Sequence, residues 1–364
     1  MQSIKNTTTR RQFLKQVTPF AGALIIPGLT SGLFRTDGKQ GLTTRGVVVT
    51  VDDLKTLNWP KLAKQAGLTT IGTHIHPEQV ATFVRTGQGQ SFLEDCRKYN
   101  IQVEHELHAM GDLLPRNLFE KNPDMFRMNE QGQRVNDYNC CPHSKEALEI
   151  ISENAVKYAK VLTPTTMRFF YWIDDAVPMC HCNQCKNFSD SDQALIIENA
   201  MIKALKKEYP NATLAHLAYV NTLTPPAVIK PEPGIFLEFA PIYRRWDRSL
   251  NDKSAGKIAP KQGNGGFFSH GQTIEQLYAN LAVFPVETAQ VLEYWLDVSL
   301  QSGWKKPAKK IDWHPDVCRK DVAVYQKAGI RHITSFAVYI DGAYKKDYGN
   351  LDFLNEYGKI LKNA

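Results

Sequence analysis

The 364 residues contain no apolar run approaching the roughly 20 residues that a membrane-spanning helix needs, so no integral membrane segment is expected. Internal repeats and low-complexity tracts are also lacking, which excludes solenoid and fibrous architectures. Strong charge bias is missing too. The formal net charge is +7, but the first 35 residues carry five bases (Lys5, Arg10, Arg11, Lys15, Arg35) and no acid. Without them +2 remains, too little for a polyanion binder, so no nucleic-acid partner is expected. Cysteine is sparse: seven residues, an odd number, in a chain large enough to fold without a disulfide framework. What is present, 43% hydrophobic and 22% charged residues, describes a globular chain with a full core.

The N-terminus reads as an export signal. TTRRQFLKQVTPFAGALIIPGLTSG joins the twin arginine Arg10–Arg11 and Phe13-Leu14-Lys15 to a mildly apolar stretch. This is the pattern of a Tat signal, assigned to residues 1–35, with cleavage expected near Ser31. The Tat export machinery is therefore an expected partner, and a periplasmic or secreted location follows.

Residues 36–364 read as a single domain. Eight β-rich runs are bounded by turn chemistry: 45–53, 69–76, 101–110, 166–175, 213–221, 235–243, 291–298 and 332–340. Helical patterns lie between them. The clearest is 189–210, with Ser and Asp at its start and Lys206 and Lys207 near its end; 143–162 and 273–284 are similar. Eight strands alternating with helices give the count of a (β/α)8 TIM barrel, with a doubly wound open sheet as the alternative. The longest irregular stretch, residues 244–269, would then be a loop at the active-site face.

In such a barrel the chemistry gathers at the strand C-terminal ends. Those ends carry His74 and His76, Glu106 and His108, Asp174 and Asp175, Tyr219 and Asn221, Tyr243 and Arg244, Glu293 to Asp297, and Tyr339 and Asp341. Acids mixed with aromatics suit a sugar: rings pack on its C–H faces and carboxylates bind its hydroxyls. Two carboxyl groups can then cleave a glycosidic bond, or one can orient a substrate acetamido group while the other protonates the leaving oxygen. Successive strand residues point to opposite faces, so Asp174 and Asp175 share a site only if the strand breaks between them. Asp175, next to the loop, is the better general acid, with Asp174 orienting or polarising. Glu293 is the candidate base, nucleophile or substrate ligand.

His74, His76, His108, Tyr219, Asn221, Tyr339 and Asp341 are read as substrate contacts. Arg244, with Arg245, is read as receiving a carboxylate or hydroxyls, and Tyr243 and Trp295 as sugar platforms. A carbohydrate-binding barrel without catalysis would keep the aromatics and tolerate loss of either carboxylate. A metal-dependent hydrolase or isomerase built on His74-x-His76 is a third reading; it lacks the expected Lys on the fourth strand and His on the sixth.

MCHCNQC places Cys180, Cys182 and Cys185 directly after the aspartates. The triplet could hold structural zinc with a fourth ligand from Cys140, Cys141 or His143, form a disulfide with Cys140 or Cys141, or remain as packed thiols. A single short triplet gives an iron–sulfur cluster little support. No cofactor is expected for catalysis.

The block LHAMGDLLPRNLFEKNPDMFRMNEQGQRV (107–135), the WIDDAVPMCHCNQC stretch, LAYVNTLTPPAVIKPEPGIFLEFAPIYRRW (217–246) and LEYWLDVSLQSGWKKP resemble the bacterial family known as domain of unknown function 4838. The resemblance spans roughly residues 100–340, and its cysteine block is the most specific part. It implies a barrel related to β-N-acetylglucosaminidases and α-glucuronidases, and cleavage of glycans, some members being implicated in substrate-assisted hydrolysis at N-acetylglucosamine. Carried over, Asp175 matches the family aspartate and Glu293 an acidic position on the seventh strand. Two departures stand out: Asp174 replaces the family's asparagine, and the usual N-terminal accessory domain has no counterpart. The expected function is thus glycoside hydrolysis in a glycan or oligosaccharide, at an N-acetylhexosamine or uronic acid linkage.

Overall fold

In the computed structural model, which describes residues 41–255 and 269–364, the β-rich runs form eight parallel strands. They are β1 (Thr44–Thr50), β2 (Thr70–His74), β3 (Gln102–His108), β4 (Arg168–Trp172), β5 (Thr213–Ala218), β6 (Ile235–Phe239), β7 (Gln290–Glu293) and β8 (His332–Phe336). Each pairs with its sequence neighbour, and β8 returns to β1 through Val48↔Phe336 to close a barrel. The TIM barrel expected from the alternation is what forms. The Tat segment 1–35 with its Ser31 cleavage point, and residues 256–268 of the long loop, lie outside the described residues.

After β1 come α1 (Val51–Thr56) and α2 (Trp59–Ala66), after β2 α3 (Pro77–Val84) and α4 (Gly87–Tyr99), and after β3 α5 (Met110–Leu113) and α6 (Lys145–Val161). β4 leads to α7 (Asp190–Glu208), β6 to α8 (His270–Leu281), β7 to α9 (Val298–Gln301) and α10 (Pro315–Lys327), and β8 to α11 (Gly342–Tyr348) and α12 (Asp352–Lys362). β5 is followed only by a 3-10 turn, Val220–Thr222. The cap chemistry acts as expected: Ser189 accepts from the Asp192 amide while the Asp192 carboxylate accepts from Ser189, which fixes the start of α7. Gly67 ends α2 at φ 76°, the left-handed conformation that glycine adopts without steric cost.

Every strand stops two to five residues short of its sequence-expected end; β4 ends at Trp172 rather than Asp175, and β7 at Glu293 rather than Val298. Aromatic and β-branched side chains favour any half-buried surface, and here they continue past the hydrogen-bonded ladder into the barrel mouth.

Period-2 alternation divides the core. Val47, Val49, Ile71, Val103 and Leu107 face the helices. Val48, Phe170, Trp172, Phe236, Leu292 and Phe336 fill the barrel interior. Fully burying each such side chain stabilises the fold by about 1.5–3 kcal/mol. The interior also holds a polar layer. Trp172 Nε1 donates to Glu238 Oε2 (2.8 Å), Gln290 Nε2 to Glu238 Oε1 (3.0 Å) and Arg168 Nη2 to Gln290 Oε1 (2.9 Å). Glu106 lies in this layer with neither carboxyl oxygen hydrogen-bonded. Gly72 makes room for it, since a Cβ there would come within 2.9 Å of Glu106 Oε1. No described helix is long and apolar enough to cross a membrane.

Candidate active site

The strand ends converge on a cleft of about 280 Å³ at the C-terminal mouth. His74, His108, Trp172, Leu292 and Phe336 form its floor, and Asp175, Tyr219, Tyr294, Asp297, Trp304 and Tyr339 stand around it. The floor is aromatic: the His74 and His108 rings lie 5.7 and 5.1 Å from Trp172, and His74 lies 5.1 Å from Phe336. His74 Nδ1 donates to the Glu106 carbonyl at 2.6 Å, which leaves Nε2 as an acceptor. Burial, then the neighbouring His108, push the His74 pKa down to about 3, so the ring is neutral.

Asp174 and Asp175 diverge, because the chain leaves the ladder after Trp172. Asp174 is held by the loop before α6: its Oδ2 accepts from Arg116 Nη2 (3.0 Å) and from the Asn139 backbone amide (2.6 Å), while its own amide donates to Asn139 Oδ1 (2.9 Å). Asp175 turns to the cleft, which Tyr219 also lines. Asp174 is thus a positioning residue for the segment, and the two carboxylates do not share one site.

The second acid at the cleft is Asp297. Its Oδ1 accepts from Ser299 N (3.0 Å), Ser299 Oγ (2.5 Å) and Leu300 N (3.2 Å), which fixes the start of α9. Burial nevertheless raises its pKa to about 6. Asp175 and Asp297 both raise the Tyr219 and Tyr294 hydroxyl pKa values, after burial.

Glu293 requires a correction. Gln290 and Leu292 occupy the inward positions of β7, so alternation turns Glu293 outward toward α10. There Arg244 Nη1 donates to Glu293 Oε1 at 2.8 Å, Arg244 Nη2 to Asp321 Oδ2 at 2.6 Å, and the Tyr325 hydroxyl to Glu293. Arg244 and Glu293 are both wholly buried, which removes the expected base and the expected carboxylate receptor from the cleft. Burial raises the Glu293 pKa to about 7, against the opposing pull of Arg244. Trp295 is corrected on the same ground: its Nε1 donates to Asp321 (3.1 Å), and its ring packs near Tyr325 and Tyr357 behind the barrel wall.

The other expected contacts divide. His108, Tyr219 and Tyr339 line the cleft with His74. Tyr243 is half-buried and feels the Asp175 charge without lining it. Asn221 is taken up by Asp190 (2.7 Å) and the Val177 carbonyl, and Asp341 caps α11 and pairs with Lys306 at 2.5 Å. His76 lies outside, its ring against the His108 carbonyl (3.0 Å), so the His-x-His pair does not converge on a shared ligand. Asp297, Tyr294, Trp172 and Trp304 complete the cleft. Trp172 and Tyr294 are among the aromatics at the strand ends and Asp297 closes the rim stretch 293–297, but none of them is assigned a role from the sequence, and Trp304 carries no signal there. For Asp297 the further signal is D-V-S-L after a β-rich run, an N-cap at a barrel rim.

Beside the cleft, four of the five expected cysteines meet. The sulfurs of Cys141, Cys180, Cys182 and Cys185 all lie within 4.8 Å of one another, all buried, and none of the seven cysteines is joined in a disulfide. Cys140 instead packs into the hydrophobic layer between barrel and helices.

The closed eight-stranded parallel barrel is a fold shared with solved structures. It resembles β-N-acetylhexosaminidase from Bacteroides fragilis with a TM-score of 0.52 at 9% identity, over 87% of this chain and 65% of that one. The chain therefore spans about two thirds of the hexosaminidase's length. Group II chitinase catalytic domain 2 from Ostrinia furnacalis aligns over 88% of this chain and 97% of its own, with 12% identity and a TM-score of 0.47. At 9% identity the likeness to the hexosaminidase is one of fold alone. The chain belongs to the family Domain of unknown function (DUF4838), whose family model matches residues 57–263. That match begins earlier than the Leu107 block and ends before β7. No curated protein matches the chain in sequence.

Proposed function

We propose that the protein is a glycoside hydrolase that cleaves at a neutral, N-acetylhexosamine-type sugar, with Asp297 and Asp175 as its two working carboxyl groups. The observation that carries this reading is their placement on one aromatic cleft. Asp297, buried with a pKa near 6, holds a proton to give to the leaving oxygen. Asp175, on the same cleft as Tyr219, is the second carboxyl group, which attacks the sugar carbon or orients an acetamido group. His74 Nε2 accepts from a sugar hydroxyl, and Trp172 supplies a flat apolar floor.

The choice of a neutral sugar over a uronic acid follows from charge. No lysine or arginine lines the cleft among the described residues, because Arg244 is committed to Glu293 and Asp321. A volume of about 280 Å³ lies at the lower edge of small-molecule sites and suits one sugar unit. Tat export to the periplasm or beyond belongs to the same proposal and rests on the Arg10–Arg11 segment.

The test is turnover of aryl N-acetyl-β-glucosaminides, aryl glucuronides and complex glycans by the protein and by Asp175→Asn and Asp297→Asn. Hydrolysis of the acetamido substrates is expected, with a fall of at least about 100-fold in each variant. Turnover should decline as pH rises through about 6, where Asp297 loses its proton. Glycan binding without turnover, unchanged in both variants, would instead make this a carbohydrate-binding barrel.

A further inference from the structure

We infer that Cys141, Cys180, Cys182 and Cys185 form a closed zinc site that clamps the loop carrying Asp175. A tetrahedral zinc–thiolate centre has Zn–S bonds of about 2.3 Å, which sets its sulfurs about 3.8 Å apart. Here Cys141 Sγ lies 3.8 Å from both Cys182 Sγ and Cys185 Sγ, and the latter two lie 3.3 Å apart. Cys180 completes a set in which no ligand atom is more than 4.8 Å from another. That spacing suits a single ion. A multi-iron cluster would insert its own core between opposite thiolates and hold them farther apart than this.

The surroundings are those of a metal–thiolate centre. The Met128 amide donates to Cys180 Sγ at 3.3 Å, Arg134 Nη1 approaches the same sulfur at 3.8 Å, and His143 Nδ1 lies 3.2 Å from Cys185 Sγ. Four thiolates around Zn²⁺ leave a net charge of −2, which Arg134 and these donors partly offset. Binding would convert four thiols and one Zn²⁺ into the tetrathiolate complex with release of four protons, and no electron moves. Cys180 is itself fixed from α7, where Gln193 bonds both its amide (3.0 Å) and its carbonyl (3.2 Å).

The site joins two segments with little regular structure of their own. Cys141 lies in the connection from β3 to α6, and the triplet in the connection from β4 to α7. Asn139, two residues before Cys141, holds Asp174, and Asp175 follows directly. The four ligands come from both sides of this contact, so the ion closes the ring of interactions that aims Asp175.

The test is metal analysis of the purified full-length chain after EDTA and desalting, with thiols alkylated under denaturing conditions and counted by intact mass. About one zinc per chain and seven alkylated cysteines are expected. Cys185→Ala and Cys141→Ala should lose the zinc, while Cys140→Ala and Cys318→Ala retain it. Should the ligand variants fail to fold, cobalt-exchanged wild-type protein decides, through thiolate-to-cobalt charge-transfer and tetrahedral absorption bands. No bound metal with fewer than seven alkylated cysteines would overturn the proposal in favour of disulfides. Seven free thiols without metal, or equimolar iron, would overturn it as well. None of these readouts depends on turnover, so the zinc site can stand or fall separately from the hydrolase reading.

Discussion

Asn139 and Asp174 hold each other twice: the Asn139 amide donates to the Asp174 carboxylate at 2.6 Å, and the Asp174 amide donates to the Asn139 side-chain oxygen at 2.9 Å. The pair crosses between the loops that follow β3 and β4. It fixes the backbone immediately before Asp175 without either side chain lining the cleft.

Asn139→Ala removes one half of this clasp, together with the side-chain donors to Pro178 O and Met179 Sδ. It should cost about 1–3 kcal/mol of stability, the scale of a buried group left unpaired. Turnover should fall at temperatures where the variant is still folded, because Asp175 loses its fixed approach. A lowered melting temperature with unchanged kcat would show that the clasp serves the fold alone.

Arg244→Ala is expected to be severe for folding. It strands the buried carboxylates of Glu293 and Asp321, and breaking a buried pair costs about 3–5 kcal/mol. Glu293→Gln keeps an acceptor for Arg244 and should be milder. Neither change should alter turnover per folded molecule. A large loss of kcat in Glu293→Gln at an unchanged melting temperature would return Glu293 to the chemistry.

Stability should depend on pH through the barrel interior. Burial raises the Glu238 pKa from 4.5 to about 8 and moves Glu106 well above its ordinary value. The folded chain therefore keeps protons that the unfolded chain releases above about 4.5. Their contribution is complete below that pH and is lost as pH rises toward 8. Glu293 and Asp297 act in the same sense, while neutral buried histidines such as His74 act oppositely, so the comparison must be with a variant. The melting temperature of Glu238→Gln should vary less with pH across this window than that of the parent. Parallel curves would refute the assignment.

The barrel was legible because alternation of β-rich runs with capped helices is a local property repeated along the chain, with only the connection after β5 lacking an α-helix. Rim chemistry was legible only to the level of position. Asp175, Tyr219, His74, His108 and Tyr339 reach the cleft, whereas Glu293, Arg244 and Trp295 stand close to it in sequence and face the other way. For Glu293 and Trp295 the difference is one residue of register, which reverses the face a side chain meets. The sequence run 291–298 gave no mark of where β7 leaves the ladder, and the partners that hold Glu293 there, Arg244 and Tyr325, are 49 and 32 positions away. The cysteines gained their definition in the same way: the triplet was visible, but the choice of Cys141 over its neighbour Cys140 depends on which side of one peptide faces the loop.

A cleft with two carboxyl groups and no lysine or arginine among its described lining also has a pharmacology. A sugar-shaped molecule with a protonated amine in place of its ring oxygen or anomeric carbon would find opposite charge there, in a low-dielectric setting that strengthens the attraction. Its grip would tighten as pH rises and Asp297 ionises, and relax again where the amine loses its own proton.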